Sequence, residues 1–211
     1  MIPGIDLTEL IRQAGPLAYL LPLITFAETG LMIGFFLPGD SMLFTAGALA
    51  GLGVIDVNIP LLCFLFFLSA IIGNSTGYAI GKRFGRKLFE KENSKVFKRK
   101  YIIQAEMFYE KHGGVAVILA QFMPIIRTFC PVVTGISKFE FKKFIAFNII
   151  GAFFWTVGIT LIGYYSFMAF GQFIKPEDID KYLLPIVILI VIISISPALV
   201  KLIHHKLTKN K

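Results

Sequence analysis

Three ionisable residues lie inside the most apolar parts of this 211-residue chain: Glu28, Asp40 and Arg127. A charged side chain at the centre of a bilayer costs about 2.5–3.5 kcal/mol on insertion scales, so such a residue is a functional candidate by default. A buried carboxyl group can exchange protons near neutral pH. The planar guanidinium of arginine stays charged and matches a phosphate or a carboxylate. These residue types indicate proton exchange at the two acids and anion binding at Arg127.

Each of the three residues also has a purely structural interpretation. Glu28 could be an inert, hydrogen-bonded carboxylate near the outer interface. Asp40 follows Pro38 and Gly39 and can N-cap the helix that comes after them, a role that is compatible with titration. Arg127 lies between two prolines in QFMPIIRTFCP and could pair with Glu28 or Asp40, because charges inside a membrane pair with one another. The sequence leaves both interpretations open for each residue.

The composition predicts an integral membrane protein. Hydrophobic residues make up 56% of the chain, against about 45–50% in soluble domains, and the mean hydropathy is +0.75. Several apolar runs reach the roughly 20 residues that a membrane-spanning helix needs. The net charge of +8 is explained by the positive-inside rule rather than by nucleic-acid binding. We therefore expect an all-α polytopic protein with a single membrane domain over residues 1–211.

The distribution of charge predicts the path of the chain. The basic stretch 82–100, Lys142, Lys143 and the basic C-terminus belong on the cytoplasmic side, and the acidic loop 175–181 belongs opposite. Residues 115–136, interrupted by Pro124, Arg127 and Pro131, then begin and end on the cytoplasmic face. The predicted segments are an interfacial helix at 1–14, a re-entrant hairpin at 16–53, a span at 59–80, a basic amphipathic cytoplasmic segment at 82–112, a second re-entrant hairpin at 115–136, spans at 141–170 and 183–203, and a basic tail at 204–211.

The two hairpins would have opposite orientations and, with about three full spans, form an inverted repeat of the kind found in secondary transporters. Irregular backbone at membrane depth is tolerated only where it is buried in protein or lines a wet cavity. A simple transmembrane hairpin for residues 16–53 is the alternative.

Smaller motifs make local predictions. Gly73, Gly77, Gly81 and Gly85 recur every four residues and predict one smooth helix face for close packing. SKFE at 137–140 fits a capping box that starts the next helix. Gly113, after His112, is expected to end the preceding helix. Cys63 and Cys130 are expected to be buried and reduced, and no metal-ligand spacing is present, so no cofactor is expected.

Taken in order, six motifs resemble the DedA family of bacterial membrane proteins, whose shared region is also called the VTT or SNARE-associated domain. They are FAETG, FLPGDS, GNSTGYAIGKRFG, HGG at 112–114, QFMPIIRTFCPVVTGIS and FNIIGAFFW at 147–155. The resemblance implies two oppositely oriented re-entrant hairpins packed with spans. It also implies lipid transport: some bacterial members are implicated in returning undecaprenyl phosphate to the cytoplasmic leaflet, others are linked to proton-motive-force-dependent homeostasis, and eukaryotic relatives to scrambling.

The resemblance also assigns residues. Glu28 and Asp40 match two functional membrane acids of the family, and Arg127 matches the second of two functional arginines. The first arginine would fall at Gln121, and Asn74 stands where an aspartate is common, so this chain departs from the family pattern at both positions. Arg83, with its basic neighbours, lies at the predicted inner interface, where it can attract phosphate head groups.

The sequence therefore predicts a lipid flippase of the bacterial cytoplasmic (inner) membrane, with its C-terminus in the cytoplasm. Glu28 and Asp40 would couple protons, and Arg127, Gln121 and Arg83 would bind the phosphate of a lipid, with undecaprenyl phosphate as the first candidate. A passive phospholipid scramblase and a proton-coupled antiporter of small cations or drugs are the alternatives. An enzyme is not expected, because the apolar segments contain no histidine and no serine–histidine grouping. The expected partners are the lipid, protons, the membrane and a second copy of the chain, but no nucleic acid.

Overall fold

The computed structural model describes residues 15–31, 39–85, 107–109, 111–137 and 139–171. All regular elements in these ranges are helical, which confirms the all-α prediction for this part of the chain. The predicted interfacial helix at 1–14, most of the basic segment at 82–112, the span at 183–203 and the tail at 204–211 lie outside the described residues.

The helices follow one another with short breaks. A 3₁₀ segment at Gly15–Leu20 leads into α1 at Leu21–Gly30, where Pro22 occupies the first turn. The remaining elements are α2 at Gly39–Gly51, α3 at Ile59–Ile80 with a π-helical extension at Gly81–Gly85, α4 at Val115–Gln121, α5 at Pro124–Ile136, α6 at Phe141–Ala152, a π-helical segment at Phe153–Val157, and α7 at Gly158–Gly171.

Two continuous helices are long and apolar enough to cross a membrane. One runs from Ile59 to Gly85 and the other from Phe141 to Ala169, with lengths of 27 and 29 residues. They coincide with the predicted spans at 59–80 and 141–170. Large apolar side chains on both remain exposed, among them Phe64, Phe154 and Ile162. Such outward-facing apolar surface suits contact with lipid.

The chain forms two compact units. The first contains α2 and α7, which pack through small residues: a Cβ added at Gly47 or Gly51 would meet the carbonyl oxygen of Thr160 or Tyr164. The Phe44 and Phe167 rings meet edge to face with centroids 6.1 Å apart. The second unit contains residues 19–31 and the described part of 60–158.

The glycine face of α3 holds the second unit together. A Cβ added at Gly73 would meet the Phe26 carbonyl oxygen at 2.9 Å, and one added at Gly77 would meet the Pro131 ring at 3.1 Å. Gly81 and Gly85 face Val132 and Ile136 of α5. The predicted packing face is confirmed. It allows the C-terminal half of α3 and its π-helical extension to approach α1 and α5 closely.

Residues 115–136 form two short helices rather than one. α4 has 7 residues and α5 has 13, fewer than the roughly 20 that a helical span needs. The break lies at Phe122 and Met123, and Pro124 begins α5, where its missing N–H has no consequence. The predicted interruptions at Arg127 and Pro131 are wrong, because α5 continues through both residues. Gly113 has φ +59° before α4, so the predicted glycine stop is confirmed.

Two further local predictions need correction. Ser137 donates to the Thr134 carbonyl oxygen and closes α5, whereas α6 begins at Phe141 without a side-chain cap, so the predicted capping box is wrong. Glu140 instead lies 3.5 Å from Lys143. Asp40 lies within the first turn of α2, which begins at Gly39, and is not its N-cap residue. An acid in the first turn still interacts favourably with the helix dipole.

Tyr109 attaches the segment before α4 to α5. Its hydroxyl accepts a hydrogen bond from Thr134 at 2.7 Å and lies 3.3 Å from the Cys130 sulfur. Burial raises the pKa of the Tyr109 hydroxyl, so the phenol stays neutral. Cys63 and Cys130 are buried free thiols, as predicted.

Substituting Gly81 with alanine tests the close approach of α3 to α5. The added Cβ would meet the Val132 backbone carbonyl, which cannot move without shifting α5. We expect a loss of about 1–3 kcal/mol in stability, seen as a lower melting temperature of the detergent-purified protein. Gly158→Ala is the matched control, because nothing lies within 4 Å of a Cβ at that position. Equal melting temperatures for both variants would contradict the packing described here.

Candidate functional site

A buried ion pair between Glu28 and Arg127 joins α1 to α5. The Arg127 Nη2 donates to Glu28 Oε1 at 2.5 Å, and the two side chains are only 2% and 3% exposed. The two residues are 99 positions apart in the chain. Of the structural interpretations open for Arg127, pairing with Glu28 is the one that the second unit shows.

The local sequence explains why both residues point inward. Glu28 lies in the last turn of α1, on a face shared with the buried residues Thr25 and Thr29. Thr29 donates to the Thr25 carbonyl oxygen at 2.9 Å, so its hydroxyl is satisfied within the helix. Arg127 follows the break at Phe122–Met123, and its backbone N–H donates to the Met123 carbonyl at 2.8 Å. The ion pair therefore joins the last turn of α1 to the first turn of α5.

Three described groups contact the Arg127 guanidinium. Besides Glu28, the carbonyl oxygen of Gln121 at the end of α4 accepts from Nη1 at 3.2 Å. The ring of Trp155 lies against its face, 3.9 Å from ring centroid to Cζ. A cation over an indole ring is held electrostatically, more strongly when water is absent. The carboxylate, the carbonyl and the indole together hold the guanidinium in one orientation.

Trp155 lies in the π-helical segment Phe153–Val157 and is 1% exposed. Single π-helical turns inside α-helices occur frequently at functional sites. The motif FNIIGAFFW was noted in the sequence, but Trp155 was not predicted to contact Arg127. The available signal was that this is the only tryptophan of the chain and that it lies within an apolar helix.

A cluster of three amide side chains lies beside this site, and we call it the amide cluster. Asn74 Nδ2 and Gln121 Nε2 both donate to Asn148 Oδ1, at 2.6 and 3.1 Å, which occupies both lone pairs of that oxygen. The three residues come from α3, α4 and α6 and are at most 3% exposed. Within the described part of the chain, Asn74 Oδ1, Gln121 Oε1 and Asn148 Nδ2 make no hydrogen bond.

Gln121 links the amide cluster to the ion pair. Its backbone carbonyl receives Arg127, and its side chain belongs to the amide cluster. A Cβ added at Gly151 would meet Gln121 Cγ at 2.7 Å, so α4 and α6 lie this close only because residue 151 is glycine. A shift of Gln121 would therefore alter both the hydrogen bonds of the amide cluster and the contact with Arg127.

The structure brings together Glu28, Arg127 and Gln121 among the predicted site residues. It does not bring Arg83 to them: this residue is exposed in the π-helical extension of α3, with its guanidinium 5.8 Å from the Phe84 ring centroid. Asp40 belongs to the other compact unit, where it lies half-buried in the first turn of α2. Among the described residues, no group of three or more histidine, cysteine, aspartate or glutamate side chains could hold a metal ion.

Comparison with known proteins identifies related membrane proteins. Residues 37–165 match the family model of the VTT domain. The chain is 43% identical to Protein DedA of Escherichia coli K12 over 96% of this chain and 90% of that protein. It is 40% identical to an uncharacterized membrane protein of Mycobacterium leprae, covering 86% and 77% of the two chains. It is 33% identical to the inner membrane protein YghB of E. coli K12, covering 66% and 63%. No solved structure matches the chain.

Substituting Asn148 with alanine tests the amide cluster. The change leaves two buried amide donors, Asn74 Nδ2 and Gln121 Nε2, without their shared acceptor. Each unsatisfied buried donor costs about 1–3 kcal/mol, so the melting temperature should fall clearly.

A double-mutant cycle isolates the interaction. Adding Asn74→Ala to Asn148→Ala should cost less than Asn74→Ala costs alone, because the bond between them is already lost. Additive losses in stability would show that the two amides do not interact.

Proposed function

Because the chain belongs to the DedA family of membrane proteins, we propose that it is a flippase that moves a phosphate-bearing lipid between the leaflets of the membrane. Undecaprenyl phosphate is the first candidate substrate, and protons are the proposed coupling ion. The observation that carries the proposal is the buried Glu28–Arg127 pair, a cation and a titratable acid held together inside an apolar helical unit.

We propose that the short helices form two re-entrant hairpins of opposite orientation within one membrane domain. Supporting this, α1, α2, α4 and α5 have 10, 13, 7 and 13 residues, and none of them reaches the roughly 20 residues needed to span a bilayer. Residues 115–136 would enter from the cytoplasmic side, and residues 16–53 from the opposite side. The C-terminus would be cytoplasmic in an inner membrane, and the protein would form a homodimer.

Arg127 is the proposed phosphate ligand. It is the only cationic side chain buried among the described residues. Its planar fork already binds a carboxylate, and a phosphate presents oxygen atoms with the same spacing. The lipid phosphate would therefore take the place of the Glu28 carboxylate on Nη2, while the Gln121 carbonyl and Trp155 keep the guanidinium in position. Arg83, exposed at the end of the α3 extension, would attract the head group before it enters.

Protonation of Glu28 would control access to Arg127. An ionised Glu28 holds the guanidinium and excludes other anions. Once protonated, Glu28 no longer compensates the cation, and the cation then favours an anionic ligand, because an unpaired buried charge is strongly unfavourable. When the phosphate leaves, Glu28 would lose its proton and bind Arg127 again. Asp40, in the first turn of α2, is the proposed second proton carrier.

Exchange of a labelled polyprenyl phosphate between the leaflets of reconstituted liposomes under a pH gradient tests this function. We expect exchange to follow the gradient in the native protein. In Glu28→Gln exchange should follow the gradient less steeply, because one of the proposed proton carriers is lost. In Arg127→Met exchange should fall about tenfold or more, since hydrogen bonds to charged groups contribute about 1.5–3 kcal/mol. Glu140→Gln, which neutralises an exposed acid, is the matched control.

Other outcomes of this experiment would contradict the proposal. Exchange that ignores the gradient and Glu28 would indicate a passive scramblase. Gradient-driven movement of small cations without lipid exchange would indicate an antiporter. Release of inorganic phosphate from the lipid would indicate an enzyme.

A doubly neutral variant separates a functional ion pair from a structural one. Arg127→Met alone leaves a buried carboxylate without its cation and should cost about 3–5 kcal/mol, whereas replacing both members of a buried pair is often neutral. We therefore expect Glu28→Gln/Arg127→Met to recover the melting temperature of the native protein but to show no lipid exchange. Normal exchange by this stable variant would show that the pair serves only the fold.

A further inference from the structure

Among the described residues, the buried part of the site contains one positive charge. Of the residues that the structure describes, Glu28 and Arg127 are the only buried charged side chains. The helices packed around them add no others: α3 and α4 contain no charged residue, and Arg127 is the only one in α5. Lys142 and Lys143 of α6 are exposed, as are Lys82 and Arg83 in the extension of α3. Asp40, in the other unit, would bring a further carboxylate and no positive charge.

This single cation limits the charge of the ligand. With Glu28 protonated, Arg127 compensates one negative charge and no more. A phosphate dianion would leave a net negative charge in a water-poor environment, where an uncompensated charge is strongly unfavourable. A phosphate with one negative charge would leave the site neutral, as it is when Glu28 and Arg127 form their ion pair.

The amide cluster adds a second constraint on the ligand, because it contains buried hydrogen-bond acceptors. Gln121 Oε1 and Asn74 Oδ1 are buried acceptors that make no hydrogen bond in the described part of the chain. An acceptor can satisfy a P–OH group but repels an ionised phosphate oxygen. Gln121 is the relevant residue, because its backbone carbonyl already contacts Arg127. One N–H of its Nε2 is bound to Asn148, whereas its Oε1 is a buried atom without a hydrogen bond among the described residues, so this oxygen gains most from a donor on the ligand.

Given the transport function proposed above, we propose that the ligand of this site is a lipid phosphomonoester in its singly protonated form, with one negative charge on Arg127 and a P–OH group donating to Gln121 Oε1. The substrate itself would then carry a proton into the site, in addition to the proton taken up by Glu28. A fully ionised monoester has two negative charges, which Arg127 alone cannot compensate. A phosphodiester has no P–OH group to donate to Gln121.

The protonation of the phosphate predicts a pH dependence with a definite sign. The second ionisation of a phosphomonoester occurs near pH 6. The singly protonated fraction therefore falls as the pH rises, by roughly 50-fold between about pH 6 and about pH 8, given that ionisation constant. Exchange of a monoester lipid should fall by a similar factor across this range.

Comparing two labelled lipids in liposomes containing the full-length protein tests the inference, with the same pH on both sides. One lipid is a polyprenyl phosphate and the other is its methyl ester, which carries one negative charge throughout this pH range and has no P–OH group. Titration of Glu28 or any other protein group affects both lipids, so the ratio of their exchange rates isolates the proton on the substrate. We expect the ratio of monoester to methyl ester exchange to fall roughly 50-fold from about pH 6 to about pH 8. A ratio that does not change with pH would overturn the inference.

Two variants of Gln121 test whether this residue is responsible for the pH dependence of the ratio. Gln121→Arg supplies a second cation and should admit the dianion, which flattens the pH dependence of the ratio. Gln121→Met removes the side-chain acceptor and should lower monoester exchange at about pH 6 by roughly two- to tenfold more than methyl ester exchange. Equal losses for both lipids in Gln121→Met, or an unchanged slope in a folded Gln121→Arg, would contradict the proposed contact. Absence of exchange for both lipids at every pH would instead overturn the transport function itself.

Discussion

The arrangement of the second unit depends on keeping one arginine charged and compensated inside an apolar helical unit. Removing Arg127 and Glu28 from water costs several kcal/mol per ion, and their attraction offsets this only when the remaining hydrogen-bonding groups are also satisfied. The Gln121 carbonyl and the Trp155 ring provide such additional contacts. The break between α4 and α5 is needed for this arrangement, because it allows the Gln121 carbonyl oxygen to accept a hydrogen bond from the Arg127 side chain.

Close backbone packing makes that arrangement possible. The glycines of α3 let α1 and α5 approach from the same side, which brings Glu28 and Arg127 within hydrogen-bonding distance. Gly151 has the same role between α4 and α6 and places Gln121 beside Asn148. Polar residues inside this unit thus come from five helical segments, whose backbones approach one another closely at glycines of α3 and α6.

The amide cluster gives Asn74 and Gln121 a common physical role. Asn74 and Gln121, noted separately in the sequence, both donate to one oxygen of Asn148. An acid introduced at Asn74 would be buried without a partner, which is strongly unfavourable, and a cation introduced at Gln121 would need an anionic ligand to compensate it. Two neutral amides that share one acceptor avoid that cost and leave Arg127 as the single buried cation of the described residues.

The sequence by itself determined the all-α class, the family, the two long apolar helices, the glycine packing face and the identity of the intramembrane charges. These features follow from composition, from local periodicity and from motif order, which need no knowledge of distant contacts. It could not determine that Arg127 pairs with Glu28, that Trp155 covers the guanidinium, or that three amides share one acceptor. Those contacts join residues between 27 and 99 positions apart, and only helix packing decides them. The helix starts near Asp40 and Ser137 were mispredicted for a related reason: short polar side chains suit several positions at a helix end, and the surrounding packing selects one.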